Sequence, residues 1–148
     1  MNRKRQKTNN YSRIELGAFS NLTENVFQPN PTFKIDGKRF VKDELGLTSS
    51  EISFNTMEPN TAIPFIHKHK ENEEIYVGIK GKGQLFLDDT YVAMEEGTVV
   101  RVATDTERAI RNNSEELFTF IVIQAKENSL QGSTVSDGYL IDKKPNWN

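Results

Sequence analysis

The chain has no cysteine and, in 148 residues, only two histidines and one tryptophan. Without cysteine there is no disulfide framework, no thiolate metal site and no cysteine nucleophile, and the redox compartment is left open. Long hydrophobic runs are missing as well: nothing approaches the roughly 18 apolar residues that span a bilayer. The opening "MNRKRQKTNN" is basic but leads into no apolar run, so the expectation is a soluble, cytoplasmic protein without a membrane partner. Helical periodicity is scarce after Phe33, and no helix-turn-helix segment appears, which argues against a DNA-reading role. Gly78, Gly81 and Gly83 lie between strand-like runs, with no following helix to supply the dipole of a phosphate-binding loop.

Net charge is small but unevenly laid out. The net charge is −2, yet Met1 to Arg13 holds five basic residues and no acid, leaving fourteen basic against all twenty-one acidic side chains in the body. The basic stretch carries no nucleic-acid motif and reads as a solvated, disordered terminus.

What is present is a succession of short strand-like runs. "EISFNTM", "EIYVGI", "QLFLDD", "YVAM", "GTVVRV" and "LFTFIVIQA" are separated at roughly ten-residue intervals by glycine, Asp88-Asp89, Glu96-Gly97 and Asn112-Asn113-Ser114. That rhythm predicts an all-β sandwich or barrel. In "FKIDGKRF", Asp36-Gly37 has the composition of a tight hairpin turn. One domain is expected, with an N-terminal arm over residues 1–31, partly disordered or packed on the barrel, a barrel over 32–128 and a tail over 129–148 that Trp147 anchors. Ile75, Val77 and Ile79 lie opposite Tyr76 on one run, so both faces are apolar and the outer one needs cover. A homodimer or the N-terminal segment would supply it.

Both histidines fall in "PFIHKHKENEEIYVGIKGKGQL", as His67 and His69. In a strand, residues two apart share a face, about 6.6 Å between Cα atoms, and can converge on one ion at the roughly 2.1 Å that imidazole nitrogen prefers. A carboxylate from the return strand completes two histidines and one acid, which leaves open positions on Fe(II) and similar metals. Glu71, Glu73 and Glu74 are the candidates by proximity.

"HKHKENEEIYVGIKG" resembles the first motif of the cupins, G-x5-H-x-H-x3/4-E-x6-G, with Thr61 in place of the leading glycine. The resemblance implies a jelly-roll β-barrel and the ligand set His67, His69 and Glu74. The second cupin motif, G-x5-P-x-G-x2-H-x3-N, is matched only at the ends of "GTVVRVATDTERAIRN". Ala103 and Asp105 replace proline and glycine, and Arg108 stands where a fourth ligand would. Arginine has no lone pair to donate. At about 5 Å and an effective dielectric of about 20, its repulsion of a divalent cation has a ceiling of roughly 6–7 kcal/mol.

Three arrangements follow. Arg108 clamps an anionic group of a substrate beside a three-ligand metal (Fe, Mn, Ni, Zn or Cu). Alternatively it pairs with Glu74 in a metal-free, ligand-binding barrel, or the set is inherited scaffold. The resemblance implies dioxygenase, isomerase or decarboxylase chemistry, and the expected substrate is a small, anionic organic molecule; a metal-free, non-catalytic binding barrel with Arg108 as its anion anchor is the other class. Tyr76 and Phe86 are expected on the pocket wall, sharing the inward parity of the site strands, and Gln124 as a polar residue reaching the cavity.

Overall fold

The computed structural model describes residues 5–147. Its regular secondary structure is almost wholly strand, as the spacing of turn residues predicts. Five strands form one antiparallel sheet, ordered β11-β8-β13-β6-β5: β5 (Lys38–Phe40), β6 (Ser50–Met57), β8 (Asn72–Lys80), β11 (Val99–Val102) and β13 (Phe118–Lys126). Four more form a second, ordered β10-β9-β12-β7: β7 (Thr61–Ala62), β9 (Lys82–Leu87), β10 (Thr90–Glu95) and β12 (Arg108–Asn112). This is the all-β jelly-roll barrel.

The strands alternate because each inner face is buried against the other sheet. Tyr76, Leu85, Met94, Val102, Ile110, Phe118, Phe120 and Val122 form the core. Gly83 is required where it stands, since a Cβ there would lie 2.3 Å from the Phe118 ring.

The strand β6 inverts the expectation raised by its apolar residues. Ser53 and Asn55 face inward and are buried, whereas Phe54 is half-buried on the outer face, 5.7 Å from Phe19. Phe19 begins a 3₁₀ segment, Phe19–Glu24, whose first carbonyl accepts a hydrogen bond from Thr56 Oγ1 at 2.8 Å. Local cover by this segment is what lets an apolar side chain sit on the outside. On β8, Ile75, Val77 and Ile79 are half-buried on the same outer face, and Val99 at the sheet edge is 63% exposed.

Other local expectations are corrected. Asp36-Gly37 is not a hairpin turn. The strand β4 (Phe33–Asp36) pairs with β3 (Val26–Asn30), while β5 pairs with β6, so the chain turns a corner between two sheets. Gly37 is still needed there: its φ is +74° and a Cβ would meet the Thr56 carbonyl oxygen at 1.9 Å. One helical turn, Lys42–Leu45, follows, and Arg39 ties it down through two bonds to Glu44, at 2.9 and 2.6 Å.

In the basic N-terminal stretch, β1 (Arg5–Lys7) and β2 (Ser12–Ile14) form a two-stranded ribbon where disorder was expected. Residues 1–4 of that stretch lie outside the described residues. Trp147 does not anchor the tail: it is 90% exposed, and Leu130, Val135, Tyr139, Leu140 and Ile141 of the same tail are exposed with it.

Candidate metal centre and cavity

The histidine segment leaves β7 and stays extended against the second cupin-like stretch. His67 and Arg108 exchange both backbone hydrogen bonds at 3.1 Å, and His69 N donates to the Thr104 carbonyl at 3.1 Å. This pairing holds the two imidazoles on one side, their rings 5.2 Å apart. Glu74 comes from the inner face of β8, buried at 3% exposure. One donor atom from each of His67, His69 and Glu74 lies within 4.8 Å of the others.

The donor set fits a metal. His67 Nδ1 and His69 Nε2 are buried without a hydrogen-bond partner among the described residues. His69 Nε2 lies 3.1 Å from Glu74 Oε1, yet the angles do not make a hydrogen bond. An imidazole nitrogen facing a carboxylate oxygen outside hydrogen-bond geometry, with a second unpartnered imidazole nitrogen beside it, is an arrangement a cation relieves. Burial, with the charges of His69, Arg108 and Lys38, lowers the His67 pKa against the pull of Glu74, so its imidazole is neutral and ready to ligate.

Glu74 is divided between two tasks. Its Oε2 accepts from Arg108 Nη1 at 2.9 Å and from the Tyr76 hydroxyl at 2.8 Å, which leaves Oε1 turned to the histidines. Burial pushes the Glu74 pKa up, but the hydrogen bonds of Arg108 and Tyr76 outweigh it, and the carboxyl sits below its usual value. Burial first, then Glu74, raises the Tyr76 hydroxyl well above its ordinary pKa, so it stays a donor.

Arg108 is fully buried and does not reach the cavity wall. Beyond Glu74, its guanidinium donates to the carbonyls of Ala103, Thr104 and Thr106. The side chain has bent back onto its own preceding turn, where Ala103 and Asp105 replace the motif's proline and glycine. The clamp on a substrate anion expected of Arg108 is therefore corrected: every arm of the fork is occupied.

The site opens into a cavity of about 590 Å³ between the sheets and the β3–β4 hairpin. Tyr76 and Gln124 are on its wall, as are Phe33, Phe40, Phe65 and Ile63. Phe86 is not. It packs against Tyr91 on the outer face of the four-stranded sheet, ring centroids 5.6 Å apart, because Gly83, Leu85 and Leu87 carry the inward parity of β9.

Sequence reasoning also missed Lys38, Ser53 and Asn55. Lys38 lines the cavity and donates to Ser53 Oγ at 3.2 Å and Asn55 Oδ1 at 3.0 Å. Three polar residues sharing a face of two paired strands was the available signal, but polar parity reads as solvent-facing by default.

Residues 53–124 match the Cupin domain family. A cupin protein from Bacteroides fragilis is 36% identical, with a TM-score of 0.69, covering 70% of this chain and 88% of that one. The chain belongs to the cupin superfamily. The plu4264 protein from Photorhabdus luminescens (20% identity, TM-score 0.54, 62% of this chain and 76% of that one) shares the fold. So does the Cupin_2 domain of an XRE family transcriptional regulator from Enterobacter cloacae (17% identity, TM-score 0.53, 62% and 96%). Among curated proteins none matches the chain.

Proposed function

We propose that this cupin binds a divalent transition metal (Fe, Mn, Ni, Zn or Cu) through His67, His69 and Glu74 and acts on a small, anionic organic molecule held in the cavity. The observation that carries the reading is the convergence of two buried, unpartnered imidazole nitrogens on one carboxylate oxygen. Such an ion supplies Lewis acidity and open coordination positions, which serve dioxygenase, isomerase or decarboxylase chemistry alike. Arg108 and Tyr76 orient Glu74 by holding its second oxygen, and Gln124 lines the wall behind it. Phe33, Phe40, Phe65 and Ile63 offer the ligand an apolar surface to pack against.

A second reading rests on a separate observation. Arg108 already balances the charge of Glu74, so the donor set is electrically neutral and the barrel is complete as a metal-free binder of small ligands. The cytoplasm is the proposed setting; no helix among the described residues is long and apolar enough to cross a membrane. A homodimer through Ile75, Val77 and Val99 is the proposed cover for the outer sheet face.

Elemental analysis of untagged protein, beside the double variant His67→Ala, His69→Ala, separates the two readings. Near-stoichiometric metal that disappears in the variant is expected. No metal in either protein after reconstitution leaves the metal-free binder.

A further inference from the structure

We infer that Lys38 anchors the carboxylate of the cavity's ligand, so that the pocket selects apolar organic acids over their neutral analogues. The inference rests on the reading above that the cavity holds a small anionic molecule, and it assigns the anion to a residue outside both cupin motifs.

The charges on the wall lead to this assignment. Two lysines line the cavity. Lys34 is spent on Asp36, at 2.9 Å near the surface. Among the carboxylates, Asp36 is thereby occupied, Glu74 belongs to Arg108, and Glu58 is exposed at the rim. Lys38 has no carboxylate within ion-pair distance among the described residues.

Its partners are neutral. Two ammonium hydrogens go to Ser53 Oγ and Asn55 Oδ1, and the Phe40 ring lies 4.8 Å from Nζ. Asn55 is held in turn by its Nδ2, which donates to Ser53 and to the Phe120 carbonyl. The ammonium is thus fixed in place with a third hydrogen that finds no acceptor among the described residues.

A cation oriented this firmly, in a cavity where Phe33, Phe40, Phe65 and Ile63 give an apolar wall beside the polar His67, His69 and Glu74, is complementary to one anionic head on an apolar body. A single ammonium matches a carboxylate; a phosphoryl group calls for more donors than this wall offers. Burial lowers the Lys38 pKa from its usual 10.5 to about 8, against the pull of Glu74 and Glu51, so the side chain remains mostly charged at neutral pH and gains from an anion.

The test uses two probes of one shape, 4-phenylbutanoate and 4-phenylbutan-1-ol, titrated calorimetrically into the full-length protein as purified. The acid is expected to bind about ten- to a hundredfold more tightly than the alcohol. Lys38→Met abolishes that preference without weakening the alcohol, and Lys38→Arg restores part of it. With ¹³C-labelled lysine, the Lys38 Cε resonance titrates near pH 8 and moves upward with the acid only.

No preference for the acid, whether both probes bind or neither does, overturns the inference, as does a preference that survives in Lys38→Met. The His67→Ala, His69→Ala variant keeps the two readings apart. A preference lost there and kept in Lys38→Met overturns the Lys38 anchor and leaves the metal reading standing. A preference kept there and lost in Lys38→Met supports the anchor whatever the metal content.

Discussion

The cavity region holds two interior cations in opposite circumstances. Arg108 is completely enclosed, and its guanidinium meets a carboxylate and three backbone carbonyls. Lys38 lines open space and, among the described residues, meets a hydroxyl, an amide oxygen and an aromatic face. The first is structure: its charge is cancelled, and its donors fasten a turn. The second is a charge held ready, stabilised enough to stay in place, with no carboxylate in ion-pair contact among the described residues. A charge's position in a motif therefore says less about its role than the count of acceptors around it.

The largest effect expected from breaking this comparison is at Arg108. Arg108→Met strands the Glu74 carboxylate and removes the donors to Ala103, Thr104 and Thr106. Breaking one side of a buried pair costs about 3–5 kcal/mol, so urea unfolding should show a loss of that size. Adding Glu74→Gln should recover part of it, because the stranded charge is then gone. A loss below about 1 kcal/mol in the single variant contradicts the account of Arg108 as a filled, structural cation.

Lys38→Met should act with the opposite sign. The folded-state pKa of about 8 lies below the usual 10.5, so the native state carries a penalty wherever the amine is protonated in both states. Below about pH 8 that penalty is fully present, and the variant should be more stable by about 1–3 kcal/mol. As pH rises from about 8 to 10.5 the wild type sheds its proton in the folded state first, and the advantage should vanish. Chemical denaturation at pH 7 and pH 11 checks both ends; a destabilised variant at pH 7 would show that Lys38 holds the fold rather than waiting for a ligand.

The same contrast marks what could be read from residues alone. The barrel was legible because turn residues punctuate the chain at strand length, and the histidine spacing, with Glu74 and Gly81 at fixed distances, placed the donor set. Arg108 was legible as an anomaly but not as a solution, since the carbonyls of Ala103, Thr104 and Thr106 that satisfy it carry no side-chain signature. Lys38, Ser53 and Asn55 were hidden for a different reason. On β6 the apolar parity, Ile52 and Phe54, turns outward, because Phe19 from the preceding segment covers it. Which face of a strand is inside depends on what lies over the other face, and alternation does not record that. Phe86 was misplaced by one parity step for the same reason: its partner Tyr91 sits on the outer face too.

Tyr76 offers the finest test, because it shares one carboxylate oxygen with Arg108. Tyr76→Phe keeps the ring in the core and removes only the hydroxyl donor, so stability should fall by about 1 kcal/mol, well short of the Arg108 variant. Metal affinity should respond more sharply. With one donor gone from Oε2, Glu74 is free to rotate about its remaining bond to Arg108, and Oε1 no longer faces His67 and His69 in one orientation. Loss of such an orienting partner weakens a metal site about tenfold or more. Competition with a chelator, run beside thermal unfolding, reads both quantities on one protein preparation. A tenfold loss of affinity with a small stability change assigns Tyr76 to positioning Glu74. Equal affinity in the two proteins means that Arg108 alone sets the carboxylate, and the filled cation then serves the site as well as the fold.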